Sequence, residues 1–215
     1  GAVTLGNSIT LASTGASSLG NNISFSSTVA GAKVLTINAG IGMVTFSSTV
    51  GAGTALTRLD VTSSHATGVS LNGDVTTTGT QQYNGAVTLT GTGDTRTLQG
   101  TTVTTSSTIA GGTNSFTITG NAVFSSVITG VTNLSVSGTS SIGANITTTG
   151  TQGYTGAVTL ASPVTLTTTN NLITFSSTLD SDSSTARNLT TSVGTNGVTF
   201  TGAVGGSQGL GNISL

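Results

Sequence analysis

Few side chains in this chain of 215 residues are suited to acid–base or metal chemistry. It has four Lys and Arg residues, five acidic residues that are all Asp, and one histidine, so that only 4% of its residues are charged. An average soluble protein has roughly 25%. Two aspartates, in Asp180-Ser-Asp182, could contribute to a calcium site. Since calcium takes six to eight oxygens and usually several carboxylates, a solvated turn is the favoured interpretation.

His65 could act as a general base only with an acid to orient it. Asp60 and Asp74 are the nearest acids along the chain, and neither a glycine-flanked serine nor a pair of catalytic carboxylates accompanies them. We therefore interpret His65 as a surface loop residue. The sequence offers no catalytic residue, no metal ligand and no cofactor site, and the chain is not expected to be an enzyme.

The remaining charges also favour structural roles. Arg58 with Asp60, and Asp94 with Arg96, stand two residues apart and are expected to form exposed ion pairs worth under about 1 kcal/mol each. The basic residues are scattered singly, whereas phosphate binding needs clustered Lys and Arg, so a nucleic-acid partner is excluded.

Two groups of uncharged residues could still bind a ligand. The only tyrosines, Tyr83 and Tyr154, each follow a glutamine by two residues and could stack on a sugar. The favoured interpretation is that they cover a corner of the core with the hydroxyl in water. Threonine runs at 76–78, 147–149 and 167–169 could form an ice-binding surface, but they more simply indicate strands with hydroxyls on the outer face.

Five Asn-x-Ser/Thr sequons for glycosylation begin at Asn22, Asn133, Asn145, Asn188 and Asn212. They carry little weight as functional signals, because such triplets arise by chance in a chain this rich in Ser and Thr.

A long internal repeat organises the chain. The segment 75–89, which ends in Tyr-Asn-Gly-Ala-Val-Thr-Leu, returns at 146–160 as a close copy, and Gly-Ala-Val-Thr-Leu also opens the chain at 1–5. Such repeats outrank other sequence signals. They divide one continuous domain, residues 1–215, into units 1–84, 85–155 and an incomplete 156–215. We expect this segment to be cut from a longer array.

Short strands are predicted throughout, because apolar–Ser/Thr–apolar triplets place two apolar side chains on one face. The triplets are Ile23–Phe25, Val44–Phe46, Val69–Leu71, Val87–Leu89, Val158–Leu160, Ile173–Phe175, Val198–Phe200 and Ile213–Leu215. They predict an all-β fold, a parallel β-solenoid of tandem repeats, with tandem Ig-like β-sandwich modules as the alternative. About ten coils spaced by about 4.8 Å would form a rod of about 50 Å. Ladders are expected to stack Phe25 on Phe46 and Phe175 on Phe200.

The Thr-Thr-Thr-Gly-Thr-Gln-x-Tyr-x-Gly-Ala-Val-Thr-Leu and Phe-Ser-Ser-Thr-Val elements resemble the repeats of filamentous-haemagglutinin-like and "β-strand repeat" bacterial surface exoproteins. The resemblance covers essentially the whole chain. It implies a right-handed parallel β-helix, export to the surface of a Gram-negative cell, and a structural role in an adhesin or matrix filament. A carbohydrate- or ice-binding solenoid is the alternative function.

The expected partners agree with this interpretation. They are neighbouring coils of the same longer chain, or further copies end to end, with host or matrix glycans as a further possibility. No apolar run approaches the roughly 20 residues that span a bilayer, so no membrane insertion is expected.

Overall fold

The computed structural model describes residues 1–14, 19–183 and 185–215. Within these residues the chain forms strands and turns but no helix, and its strands pair in parallel from one coil to the next. The predicted parallel β-solenoid is confirmed. The Ig-like alternative is wrong, because a sandwich is built of antiparallel strands. The described residues contain no helix that is long and apolar enough to cross a membrane.

Each coil passes along three faces in the same order, and we name these faces A, B and C. Face A contains Val3–Thr4, Val29–Ala30, the bridge residue Val50, Val75–Thr76, the first halves of Thr95–Thr105 and Ser115–Phe124, Leu134–Val136, Gln152–Tyr154, Ile173–Phe175 and Val198–Phe200.

Face B contains Ile9–Ala12, Val34–Asn38, Arg58–Thr62, Gln81–Asn84, the second halves of Thr95–Thr105 and Ser115–Phe124, Ser140–Ile142, Val158–Leu160, Leu179–Ser181 and the bridge residue Val204. Face C contains Ile23–Phe25, Val44–Phe46, Val69–Leu71, Val87–Leu89, Ile109–Ala110, Ile128–Val131, Ile146–Thr148, Val164–Thr167, Leu189–Ser192 and Ile213–Ser214. All eight triplets predicted from the sequence are therefore strands, the last shortened by one residue.

Glycines allow the chain to turn from face A to face B. The strands Thr95–Thr105 and Ser115–Phe124 bend around this corner without ending, at a register shift between Gln99 and Thr102. Gly120 lies in the bend with a φ of +131°, a backbone conformation that disfavours any residue with a Cβ.

The interior consists of in-register ladders of apolar side chains. Phe25 stacks on Phe46 with ring centroids 5.1 Å apart, and Phe175 stacks on Phe200 at 5.2 Å, so both predicted aromatic pairs are confirmed. Phe175 also stacks on Tyr154 at 5.3 Å. These rings join a single core that extends through all the coils.

The triplet pattern predicts that Val44, Phe46, Val198 and Phe200 are all buried. This is confirmed for Val44 and Phe46, but Val198 and Phe200 are only partly buried. No described residue pairs with their strand on its far side, so one flank of each side chain lacks a neighbour.

Coil length is not constant. Tyr154 lies eighteen residues after its ladder partner Val136, whereas Phe200 lies twenty-five residues after its partner Phe175. Insertions at the corners absorb the difference, since the partners remain in register on the faces. The sequence period therefore need not be a whole number of coils.

Candidate functional site

The first copy of the repeat motif folds around a buried glutamine. The Gln81 side chain is fully buried, and its Nε2 donates to the carbonyl oxygens of Gln99 at 2.8 Å and Val75 at 3.1 Å. The Tyr83 hydroxyl donates to Oε1 of Gln81 at 2.9 Å. The Thr77 hydroxyl donates to the carbonyl oxygen of Gly79 at 2.9 Å and closes the corner. Buried polar groups are tolerated when they are paired in this way.

The second copy repeats this network. Nε2 of Gln152 donates to the carbonyl oxygens of Thr167 at 2.9 Å and Ile146 at 3.3 Å. The Tyr154 hydroxyl donates to Oε1 of Gln152 at 3.1 Å, and Thr148 donates to the Gly150 carbonyl at 2.8 Å. Both copies are therefore the same local structure.

The two copies nevertheless lie on different faces. Gln81 and Tyr83 belong to face B, whereas Gln152 and Tyr154 belong to face A. The three Gly-Ala-Val-Thr-Leu elements together occupy all three faces. Their valines, Val3, Val87 and Val158, lie on faces A, C and B in turn. The repeat of 71 residues spans three full turns and two further faces. The glutamine–tyrosine corner thus fits faces A and B, and the Gly-Ala-Val-Thr-Leu strand fits all three faces of the solenoid.

The structure corrects the interpretation of the tyrosines. Both side chains are buried, with their hydroxyls bonded to glutamine instead of water, so neither ring is available to stack on a sugar. The threonine runs are corrected in part. Their middle members, Thr77, Thr148 and Thr168, are buried and bond to main-chain carbonyls instead of lying on the outer face.

Asparagine side chains join successive coils at the corners, a role that sequence reasoning missed. Oδ1 of Asn22 accepts the main-chain N–H of Met43 at 2.8 Å, one coil further on. The same bond is made by Asn133 to Thr151, Asn121 to Thr139, Asn145 to Thr165 and Asn188 to Asn212, at 2.8–2.9 Å. These residues directly precede the strand cores, which is the sequence signal that could have revealed them. Four of the five sequon asparagines therefore bond to the next coil.

Arg96 is not the exposed ion-pair member that its spacing predicts. Its side chain is 8% exposed because the strand places it on the inward side, although Asp94 is exposed. Nη2 of Arg96 donates to the carbonyl oxygen of Thr90 at 2.6 Å, to Oδ2 of Asp94 at 3.1 Å and to Oδ1 of Asn72 at 3.3 Å. The guanidinium fixes the corner loop 90–94 to the coil beneath it. The expected Arg58–Asp60 pair does form on face B, with Arg58 exposed but Asp60 partly buried.

The remaining polar candidates have structural partners. Oδ1 of Asp180 accepts the main-chain N–H groups of Ser207 at 2.9 Å and Gln208 at 3.2 Å, and Asp180 lies in a strand instead of the predicted turn. A hydrogen bond from Arg187 lowers the pKa of Asp182. His65 lies in a loop, and its Nδ1 accepts the N–H of Thr67 at 3.1 Å. Among the described residues, no group of three or more His, Asp or Glu could hold a metal ion.

The outward surface of face A carries hydroxyls and no charge. Its middle column, from the fifth rung to the last, is Thr97, Thr117, Ser135, Gly153, Thr174 and Thr199. Beside it, an open groove of about 500 Å³ follows the corner with face B and is lined by Thr76, Thr78, Gly100, Thr101 and Gly120 among others. Face B differs, because its outward columns carry Arg58, Asp60 and Asp180. Face A therefore differs from face B in presenting hydroxyls without charged side chains along these rungs.

Comparison with protein-family models, with curated proteins and with solved structures finds no match for this chain. Any function assigned to the chain must therefore rest on the geometry of its coils.

The buried tyrosines predict a loss of stability at high pH. Burial raises the pKa of Tyr83 and of Tyr154 well above the usual range. In the unfolded chain each phenol ionises near pH 10. The free energy of unfolding is therefore unaffected by ionisation of these tyrosines below that pH and falls as the pH rises above it. We expect a slope of about 1.4 kcal/mol per pH unit for each tyrosine. Urea denaturation at several alkaline pH values, with tyrosinate absorbance as a second signal, measures it.

Tyr83→Phe is the matched variant for this prediction. It should halve the slope and cost about 1–3 kcal/mol near neutral pH, because Oε1 of Gln81 loses its donor. Tyrosinate absorbance that develops near pH 10 while the chain is still folded would show that the hydroxyls are not held in the core.

Proposed function

We propose that this chain is a structural shaft segment of an exported adhesin or extracellular filament on the surface of a Gram-negative bacterium, and that it performs no catalysis. Its partners in this proposal are further coils of the same design, in one longer chain or in copies arranged end to end, with matrix or host glycans bound elsewhere along the filament.

One observation carries this proposal: the same Gly-Ala-Val-Thr-Leu strand element serves all three faces of one stack of coils. Within the described residues, each coil bonds to the coils before and after it, through parallel ladders and asparagine side chains. Stability in such an array is approximately a sum over coils and their interfaces. Length can therefore change without redesign of the rest, which is what a shaft requires.

The surface is consistent with this role. Only four Lys and Arg residues offer cleavage sites to trypsin-like proteases, and the side chain of one of them, Arg96, is buried. A net charge of −1 gives little repulsion along the rod and little dependence on salt. A long extracellular element benefits from both properties.

Duplication of one coil tests the proposal. Residues 137–154 form a complete turn that ends one rung above Val136, so a second copy inserted after Tyr154 should stack in register. We expect the rod to lengthen by about 4.8 Å, as measured by small-angle X-ray scattering. The urea denaturation midpoint should stay at or above that of the parent chain, because the insertion adds an interface of the existing kind.

The control is an insertion of the same eighteen residues in scrambled order at the same position, which should destabilise the chain. An equal decrease in the urea denaturation midpoint for both insertions would contradict a modular shaft. The alternative function is tested with the parent chain in ice-growth and glycan-array assays. Faceted ice crystals, or specific glycan binding lost on Thr117→Lys of face A but not on Thr104→Lys of face B, would replace the purely structural role with that of a binding surface.

A further inference from the structure

Three Asn-Gly pairs occur in the sequence, at Asn72-Gly73, Asn84-Gly85 and Asn196-Gly197. In such a pair the main-chain nitrogen of the glycine can attack Cγ of the asparagine. Ammonia leaves, a five-membered succinimide forms, and water then opens the ring to aspartate or isoaspartate. A glycine favours the attack because it lacks a side chain and is conformationally free. The three pairs have the same intrinsic chemistry, so differences between them must come from the fold.

The pair at Asn84 is held in place on both sides. Asn84 lies in a strand, paired with Thr62, where the extended backbone is fixed. Its Oδ1 accepts from Nε2 of Gln82 at 2.8 Å and from the Ser106 hydroxyl at 3.2 Å. Gly85 packs so closely that an added Cβ would lie 2.2 Å from the carbonyl oxygen of Ser63. The rotation that brings Cγ onto the glycine nitrogen is therefore blocked.

The pair at Asn72 is restrained in a similar way. Oδ1 of Asn72 accepts from Arg96 at 3.3 Å, and its Nδ2 donates to the carbonyl oxygen of Ser47 at 3.3 Å. Gly73 is buried, and a Cβ added there would lie 2.6 Å from the main chain at Ser48 and Thr49. Both the side chain and the glycine are fixed between coils.

The pair at Asn196 is open. Residues 194–197 are all exposed, in the turn from face C to face A. Nothing lies within 4 Å of a Cβ placed on Gly197. The Asn196 side chain bonds through its Nδ2 to the carbonyl oxygen of Asn170 at 2.6 Å. This bond restrains the amide nitrogen, which is the leaving group, whereas Gly197 has open space beside its Cα and is bonded through its carbonyl oxygen to the Ile173 N–H at 3.3 Å.

We propose that Asn196 is a site of spontaneous deamidation in the folded protein, and that Asn72 and Asn84 are protected by the coil stack. The product is a carboxylate that cannot donate to the Asn170 carbonyl and that faces this oxygen instead. Isoaspartate also lengthens the main chain within the turn. The modification therefore loosens the turn 194–197 and the neighbouring bond from the Ile173 N–H to the Gly197 carbonyl, which is 3.3 Å long.

Mass spectrometry of the aged, folded chain tests the proposal. Trypsin cleavage after Arg58, Arg96 and Arg187 yields peptide 59–96, which contains both protected pairs, and peptide 188–215, which contains Asn196. After incubation at mildly alkaline pH, we expect the mass shift of deamidation and isoaspartyl methylation in peptide 188–215, well before either appears in peptide 59–96. In urea the three sites should react at similar rates, because the chain is unfolded and the deamidation rate then depends only on the local Asn-Gly sequence.

Gly197→Ala supplies the matched variant. The added methyl group meets open space, so the fold should be unchanged, while the β-carbon hinders ring closure and slows reaction at Asn196 several-fold. Equal rates at the three pairs in the folded chain, or faster reaction at Asn72 or Asn84, would overturn the proposal. So would a rate at Asn196 that is the same in Gly197→Ala as in the parent.

Discussion

Phe175→Ala should cost about 3–5 kcal/mol of unfolding free energy, among the largest effects of any single truncation in this chain. Phe175 is fully buried, and its ring is stacked at 5.3 Å on Tyr154 and at 5.2 Å on Phe200. Aromatic pairs add about 0.5–1.5 kcal/mol beyond the burial of their area. The interior is a narrow column, so the coils on either side have little freedom to close the cavity. Urea denaturation measures the loss.

Thr174→Ala on the same strand is the control, because Thr174 points outward from face A. It should change stability by no more than about 0.5 kcal/mol. Strand 173–175 pairs with strands 152–154 and 198–200, so in a hydrogen-exchange measurement protection should decrease first at those two strands. A Thr174→Ala cost equal to that of Phe175→Ala would mean that the inward side of the strand is wrongly assigned.

Gly120→Ala should destabilise the chain by about 2–6 kcal/mol, the sum of backbone strain and forced displacement. Gly120 has a φ of +131°, and an added Cβ would lie 1.9 Å from the carbonyl oxygen of Gly100 on the preceding coil. The Gly120 N–H donates to the Ser137 hydroxyl at 3.0 Å, so movement away from Gly100 disturbs the coil on the other side. Thermal and urea denaturation give the magnitude.

Gly153→Ala is the matched control in a strand. The nearest atom to its added Cβ is the Leu134 carbonyl oxygen at 4.0 Å, and its φ is not positive. This substitution should be neutral or stabilise by about 0.4–1 kcal/mol, because alanine restricts the unfolded chain. If both substitutions had the same small effect, steric fit at the corner between faces A and B would not be what selects glycine.

The fold could be predicted from the sequence because the alternation of apolar and hydroxyl-bearing residues is a local property. A triplet such as Val44-Thr45-Phe46 places Val44 and Phe46 on one side of a strand whatever the rest of the chain does. The recurrence of these triplets at about the length of one coil then favoured a solenoid, and equivalent phenylalanines indicated two of the ladders. The role of Asn133 and its equivalents was not recognised, since a side-chain oxygen that bonds to the next coil leaves only a weak local signal.

By itself, the sequence determined that the chain is all-β, which triplets are strands and which of their side chains point inward. Only the tertiary structure decided which face each strand occupies. Coil length varies with the corner insertions, so copies of one motif place Tyr83 on face B and Tyr154 on face A. The tertiary structure also decided that Arg96 is buried and that both tyrosine hydroxyls are bonded to glutamine. The physical reason is that the alternation within a strand determines which of its side chains point inward. The face that the strand occupies depends instead on hydrogen bonds to residues about twenty positions away in the sequence.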